Sequence, residues 1–418
     1  MAKMPSSKPK STDECSFLSG NVRFSSLLVR TILEGNRSNK NFVFDCMGVV
    51  TQLSGIHAAA NDSVHQKIEE LLGVGKAEPE PQADAAPGCS YNEVSEILKS
   101  VSFKHEKTIL GQRVEKKTSL ALIDCSYYPA TAFISDLKSF GIGTKVVDFQ
   151  SQNPLKSIKK KLVTILKRRA EYNSLSNPRN KMILINEGTI QKDWTRAFNK
   201  RRALPFYSGP EKGTYLAKYL TVTAQFRVGD LPELSAHIVQ LPYSGQNQSM
   251  FIILPKDTRA GALQAMEKTL CHQDAWCLWN TLVANLVPKL TYLAVPEFDF
   301  NTFINMKPIL EQLGMPELFD SQANVFSAVS EQADFCISEY YQINHAIIAE
   351  KGQLGALREV QRKVLLMSEP TGVVTNFVVD HPFLFIIQDE ATKSMLYIGR
   401  VCHPLKANRF SRASSLLE

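Results

Sequence analysis

Two dense apolar runs near the end of the chain limit its fold more than any other feature. The first is Val378-Val379-Asp380-His381-Pro382-Phe383-Leu384-Phe385-Ile386-Ile387, and the second is Met395-Leu396-Tyr397-Ile398-Gly399-Arg400-Val401. Polar, turn-forming residues from Gln388 to Ser394 join them. β-Branched and aromatic residues bounded by turn chemistry read as a buried antiparallel hairpin.

The remaining pattern mixes helices with strands. Val22, Phe24, Leu27, Leu28, Ile32 and Leu33 have the spacing of an amphipathic helix that ends at Gly35. A second element opens at Asn41-Phe42-Val43-Phe44 and runs through Val49, Val50 and Leu53, and a helix spans Val64 to Leu72 before Gly73. Lys76 to Gly88, rich in Pro, Ala and Glu, reads as a surface loop. Ser119 to Tyr128 is strand-like, Phe133 to Phe140 helical, Lys145 to Phe149 a strand, Leu155 to Arg169 a basic helix, and Met182 to Ile190 a strand. From Leu220 onward strands dominate: Ala236 to Tyr243, Ser249 to Leu254 and Leu290 to Phe298. A helix from Phe303 to Leu313, closed by Gly314, interrupts them. Early helices and late strands give an α+β class with a large mixed sheet.

The chain has 418 residues, 44% hydrophobic and 21% charged, enough apolar surface for a sizeable core. Its net charge of +7 favours weak attraction to polyanions. Met1 to Asp13 is polar with Lys3, Lys8 and Lys10, so no secretory leader is expected, and no apolar run reaches membrane-spanning length. The eight cysteines are scattered and no pair has zinc-ligand spacing, which reads as free thiols in a reducing compartment. Cytoplasmic residence is the expectation, with non-classical secretion the alternative. Sequons at Asn36, Asn61 and Asn247 matter only after export. There is no Gly-x-Ser-x-Gly elbow, phosphate-binding glycine loop or His-Glu-x-x-His helix, so an enzyme, a metal and a cofactor are not expected.

The terminal wording goes further than its hydropathy. His381-Pro382-Phe383-Leu384-Phe385-Ile386, a charged turn, then Leu396-Tyr397-Ile398-Gly399-Arg400-Val401 resembles the C-terminal signature of the serpins. Leu231-Pro232-Glu233-Leu234, Leu241-Pro242-Tyr243-Ser244-Gly245 and Ser249 to Pro255 resemble the family's central strands. Val295-Pro296-Glu297-Phe298, Leu313-Gly314-Met315, Leu318-Phe319 and Val325 to Ser330 follow in family order, so the likeness covers Cys15 to Lys406. It implies one domain over 15–407, between an N-terminal tail 1–14 and a C-terminal tail 408–418. It also implies a large mixed central sheet, a β-barrel of smaller sheets, eight or nine helices and an exposed reactive loop at about 352–370. The implied partner is a serine protease, or a cysteine protease, trapped by a monomer.

Similarity is weaker where the mechanism lives. Serpins carry Asn-Phe-Ser-Pro and a second serine where the sheet opens, but Asn41-Phe42-Val43-Phe44-Asp45-Cys46-Met47-Gly48 lacks both serines. Asn186 matches the family's central-strand asparagine, and Trp194 its tryptophan near the top of the sheet, while Glu187 to Lys192 depart from the pattern. Asn344-His345-Ala346 resembles the family's His-Lys-Ala on the strand feeding the loop, and His381 reads as structural. The hinge would be Glu350, Lys351, Gly352, Gln353, Leu354, Gly355 and Ala356.

The family mechanism inserts the cleaved loop into the main sheet as a strand, which places alternate side chains on opposite faces. One set is Gln353, Gly355, Leu357, Glu359, Gln361, Lys363, and the other is Leu354, Ala356, Arg358, Val360, Arg362, Val364. Both contain charge, and burying an unpaired charge costs several kcal/mol. A non-inhibitory binding or chaperone-like scaffold is therefore the alternative function. The family's loop length places the cleaved bond at Leu366-Met367, and one more residue makes it Met367-Ser368. Both suit chymotrypsin- or elastase-like pockets, and Arg362-Lys363 offers a trypsin-like option. Lys156, Lys159, Lys160, Lys161, Lys167, Arg168 and Arg169 are candidates for binding heparin-like glycosaminoglycans or other polyanions, and equally a solvated helix face.

Overall fold

The computed structural model describes residues 24–33, 39–72, 116–151, 172–244, 247–270, 279, 281–327, 329–349 and 373–407. The strands among them are β1 (Phe42–Asp45), β2 (Lys116–Asp124), β3 (Ile142–Val147), β4 (Met182–Ile190), β5 (Lys200–Tyr207), β6 (Thr214–Leu231) and β7 (Ala236–Pro242). They continue with β8 (Gln248–Pro255), β9 (Val287–Pro296), β10 (Phe298–Asn305), β11 (Ile337–Ile348), β12 (Thr375–Val378), β13 (Phe383–Asp389) and β14 (Met395–Val401). Two sheets result. One has nine strands, ordered β1-β14-β13-β8-β7-β6-β9-β12 with β5 paired to β6, and the other has five, ordered β10-β11-β4-β2-β3. The described residues include 8 helices.

The apolar hairpin is β13 and β14, paired antiparallel from Phe383 opposite Val401 to Ile387 opposite Tyr397. Every residue of β14 is buried, because the hairpin sits inside the nine-stranded sheet between β1 and β8. Asp389 closes the connecting turn by accepting from the N–H groups of Ala391 (3.0 Å) and Thr392 (2.9 Å). Gly399 is dictated by packing, since a Cβ there would lie 2.2 Å from the Phe385 ring and 2.9 Å from the Phe42 carbonyl oxygen.

Helix Cys46–His57 is buried at every position and packs on β14 of one sheet and on β3 and β4 of the other. Its apolar residues fall on every side of the helix, as in an interior helix, and its polar Thr51 and Ser54 bond back to the carbonyls of Met47 and Val50. The main core fills the space between the sheets. Ala121, Ile123, Met182, Leu184 and Tyr340 face it from the five-stranded sheet. Leu120, Leu122, Ile183, Ile185, Tyr341 and Ile343 point the other way, into a second cluster with Phe149 and Leu175. This is the period of two expected of strands covered on both faces.

Three expectations need correction. The anticipated barrel is an open sheet whose ends, β1 and β12, do not pair. Each is four residues long, short enough to blunt an edge without closing it. Residues Phe303 to Leu313 are not one helix: Phe303–Asn305 belong to β10, and the helix is Lys307–Gln312. The apolar spacing there satisfies a helix, but β11 supplies a ladder from Phe298 opposite Ile348 to Asn305 opposite Tyr341, and tertiary pairing overrides local pattern. The element beginning at Asn41 divides at Asp45 into strand and helix. No helix among the described residues is long and apolar enough to cross a membrane.

Candidate functional site

β4 and β11 lie side by side and parallel, from Ile337 opposite Met182 to Ala346 opposite Ile190. Their outer neighbours β2 and β10 are antiparallel to them. β11 ends at Ile348, and the next strand among the described residues is β12 of the other sheet, starting at Thr375. The connection between the two sheets therefore starts at one edge of this parallel seam.

A cluster of buried polar side chains bolts the seam from beneath. Asp45 ends β1 and caps the helix, its Oδ1 accepting from the Gly48 N–H at 2.8 Å. Its Oδ2 accepts from Asn186 Nδ2 on β4 at 3.0 Å, and Asn186 Oδ1 accepts from Ser119 Oγ on β2 at 3.1 Å. From β11, Gln342 accepts from the Asp45 N–H (3.2 Å) and donates to the Asp45 carbonyl (2.7 Å). Asn344 donates to the Val43 carbonyl (3.3 Å) and to Gln342 Oε1 (3.0 Å). Asp45, Asn186, Gln342 and Asn344 are each 0% exposed, so these bonds replace water that has been excluded. Gly48 makes the approach feasible, because a Cβ there would lie 1.8 Å from Asn186 Nδ2. One corner of backbone thus holds both strands of the seam, with Gln342 directly opposite Asn186 in register.

Trp194 lies just past the end of β4 and bridges to Tyr243 beyond β7, stacked on that ring at 4.6 Å and edge-on to Phe198 at 6.0 Å. It ties the seam's upper end to the nine-stranded sheet. His345 turns away from the cluster and meets Asp299 on β10 at 2.6 Å. His381 is buried, with Nε2 donating to the Pro255 carbonyl at 2.8 Å and Nδ1 2.7 Å from Asp380. It lies outside the polar cluster of the seam.

Asn186 and Asn344 are thus brought together, whereas His345 and His381 stand apart. Asp45, Gly48, Ser119 and Gln342 escaped sequence reading as members of one cluster. A usable signal was present: a glycine inside an otherwise apolar buried helix marks a close approach, and Gln342 and Asn344 alternate with Tyr341 and Ile343. The hinge Glu350 to Ala356, the bonds at Leu366, Met367 and Ser368, and the basic group Lys156 to Arg169 lie outside the described residues.

Comparison with known proteins places this geometry in context. A family model described as Serpin (serine protease inhibitor) matches residues 19–404. Serpin B5 of Xenopus tropicalis is 23% identical over 380 residues, covering 88% of this chain and 93% of that protein. Among solved structures, a tumour suppressing serpin at 2.1 Å superposes with a TM-score of 0.73 and 22% identity, covering 93% of this chain and 99% of that one. Native protease nexin-1 with heparin superposes with a TM-score of 0.74 and 18% identity, covering 93% and 100%.

Proposed function

The chain belongs to the serpin family, and we propose that it is a suicide substrate for chymotrypsin- or elastase-like serine proteases, with residues 353–370 as bait. The observation that carries this reading is the direct parallel pairing of β4 with β11, the strand from which the bait departs. A segment folded back from the end of β11 runs antiparallel to both strands of the seam. Its entry exchanges one parallel ladder for two antiparallel ones, the more stable pairing per residue. The intact fold then holds free energy that a cut loop can release.

The protease supplies the nucleophile. Its serine oxygen attacks the carbonyl of Leu366 or Met367, the peptide C–N bond breaks, and the leaving amine takes up a proton. The acylated strand then enters the seam before water hydrolyses the ester. Entry widens the β4–β11 spacing from about 4.8 to about 9.6 Å, so Asp45 cannot keep its bonds to both Asn186 and Gln342. The polar cluster acts as a latch that sets the barrier to opening.

A scaffold without inhibitory activity is the second reading, favoured by loop composition. Gln353 to Leu357 carry no charge and can enter unopposed, but Arg358 and Glu359 follow on opposite faces. Incubation with chymotrypsin, elastase and trypsin separates the two readings. An adduct that survives denaturing electrophoresis supports inhibition, and loop cleavage without an adduct supports the scaffold. A polyanion site on Lys156 to Arg169 is a further proposal, in keeping with the heparin named for protease nexin-1. Neutralising Lys159, Lys160 and Lys161 would abolish salt-dependent heparin retention. Among the described residues, the free thiols of Cys125, Cys336 and Cys402 are in keeping with a reducing compartment.

A further inference from the structure

The turn between helix Cys46–His57 and helix Asp62–Leu72 gathers three ligand-type side chains that the seam does not use. His57 ends the first helix. Asn61 starts the second: its Oδ1 accepts from the Val64 N–H at 3.2 Å, and its own N–H donates to the Val325 carbonyl at 2.9 Å. That cap fixes the helix's rotation, and His65 and Glu69, four residues apart, share the face turned to His57.

His57 Nε2 and His65 Nε2 each lie 3.3 Å from the same oxygen, Glu69 Oε1. The three ligand atoms all fall within 4.8 Å of one another. Donors held about 2.0–2.2 Å from a tetrahedral zinc ion stand about 3.3–3.5 Å apart, so the two measured edges match that polyhedron. We propose that His57, His65 and Glu69 bind a zinc ion, with the fourth position open to solvent. Two imidazoles and one carboxylate suit zinc better than calcium or magnesium, which prefer oxygen alone.

Exposure indicates the route of entry. His57 is 2% exposed, while His65 and Glu69 are 40% and 26% exposed, so an ion arrives from the second helix's side. The other comparable group, Asp124, Cys125 and Asp148, is already committed: its carboxylates accept from Ser126, Phe149 and Gln150 N–H groups. The bound ion would clamp two helices, the first of which carries the Asp45–Gly48 corner at its far end.

The test is titration of the purified full chain with Co2+ and Zn2+. One Co2+ should bind with a tetrahedral d–d spectrum lacking thiolate charge-transfer bands, and Zn2+ should displace it. Because His65 and Glu69 are partly exposed, H65A and E69Q should keep the native circular dichroism. Each should weaken binding at least ~10-fold. Zn2+ should raise the thermal midpoint of the parent chain and leave both variants unmoved. Absence of stoichiometric binding, a thiolate band, or equal affinity in the variants would overturn the proposal. The protease experiment does not depend on this result.

Discussion

Arg400 has no exposed surface, yet it carries a charge near the open end of the signature hairpin, opposite Leu384. Its guanidinium meets both oxygens of buried Glu267 (3.0 and 2.9 Å), donates from Nε to the Lys40 carbonyl (3.1 Å), and lies 5.0 Å from the Phe42 ring centre. Burial pushes the Glu267 carboxyl up, and Arg400 opposes that push. Removing one partner strands the other, so R400M or E267Q should each cost ~3–5 kcal/mol in urea denaturation, and pairing R400M with E267L should recover part of the loss. Cys402 gives a pH prediction. Burial pushes its thiol up to about 12. Below pH ~9 both folded and unfolded thiols hold their protons; above it the unfolded thiol ionises first, so stability falls with rising pH by ~1.4 kcal/mol per unit. C402A should lose less stability between pH 9 and 11 than the parent chain. From the sequence, Arg400 was visible as part of a motif, but Glu267 lay in a stretch read as no particular element, and only the fold, with its helix Ala262–Leu270, brings the two together.

The seam turns residue chemistry into the behaviour of strands. G48A places a methyl group against Asn186, which Asp45 and Ser119 hold in place, so overpacking should cost ~1–3 kcal/mol of stability and lower the thermal midpoint. In the loop, R358A, E359A, R362A and K363A together remove the charges that oppose insertion. The variant cleaved in its loop should gain more heat resistance than the cleaved parent. Legibility differed among elements for physical reasons. β4 and the hairpin were readable because burial on both faces makes a strand continuously apolar. β5 was missed because Lys200, Arg201, Arg202 and Ala203 are exposed and Pro205 interrupts the run. β10 was misread because Phe303, Ile304, Ile309, Leu310 and Leu313 obey a helical spacing until β11 supplies a ladder. Gly48 and the alternation of Gln342 and Asn344 hinted at buried polar contacts, but the pairing of the cluster was illegible because it joins Asp45 to residues 141 and 297 positions away.

Considered whole, the molecule pairs β4 directly with β11, the strand that precedes the proposed bait in sequence. That arrangement is useful only if the intact state is trapped above the cleaved one, by a barrier to which the Asp45 latch contributes. Heat unfolding of the chain before and after a single loop cut measures the trapped free energy directly. Chymotrypsin cleavage at Leu366-Met367 or Met367-Ser368 should raise the midpoint by ten degrees or more, on the order expected when about 5 kcal/mol is released in a large domain. An unchanged or lower midpoint after cleavage would contradict the account, because the seam would then not have accepted the strand.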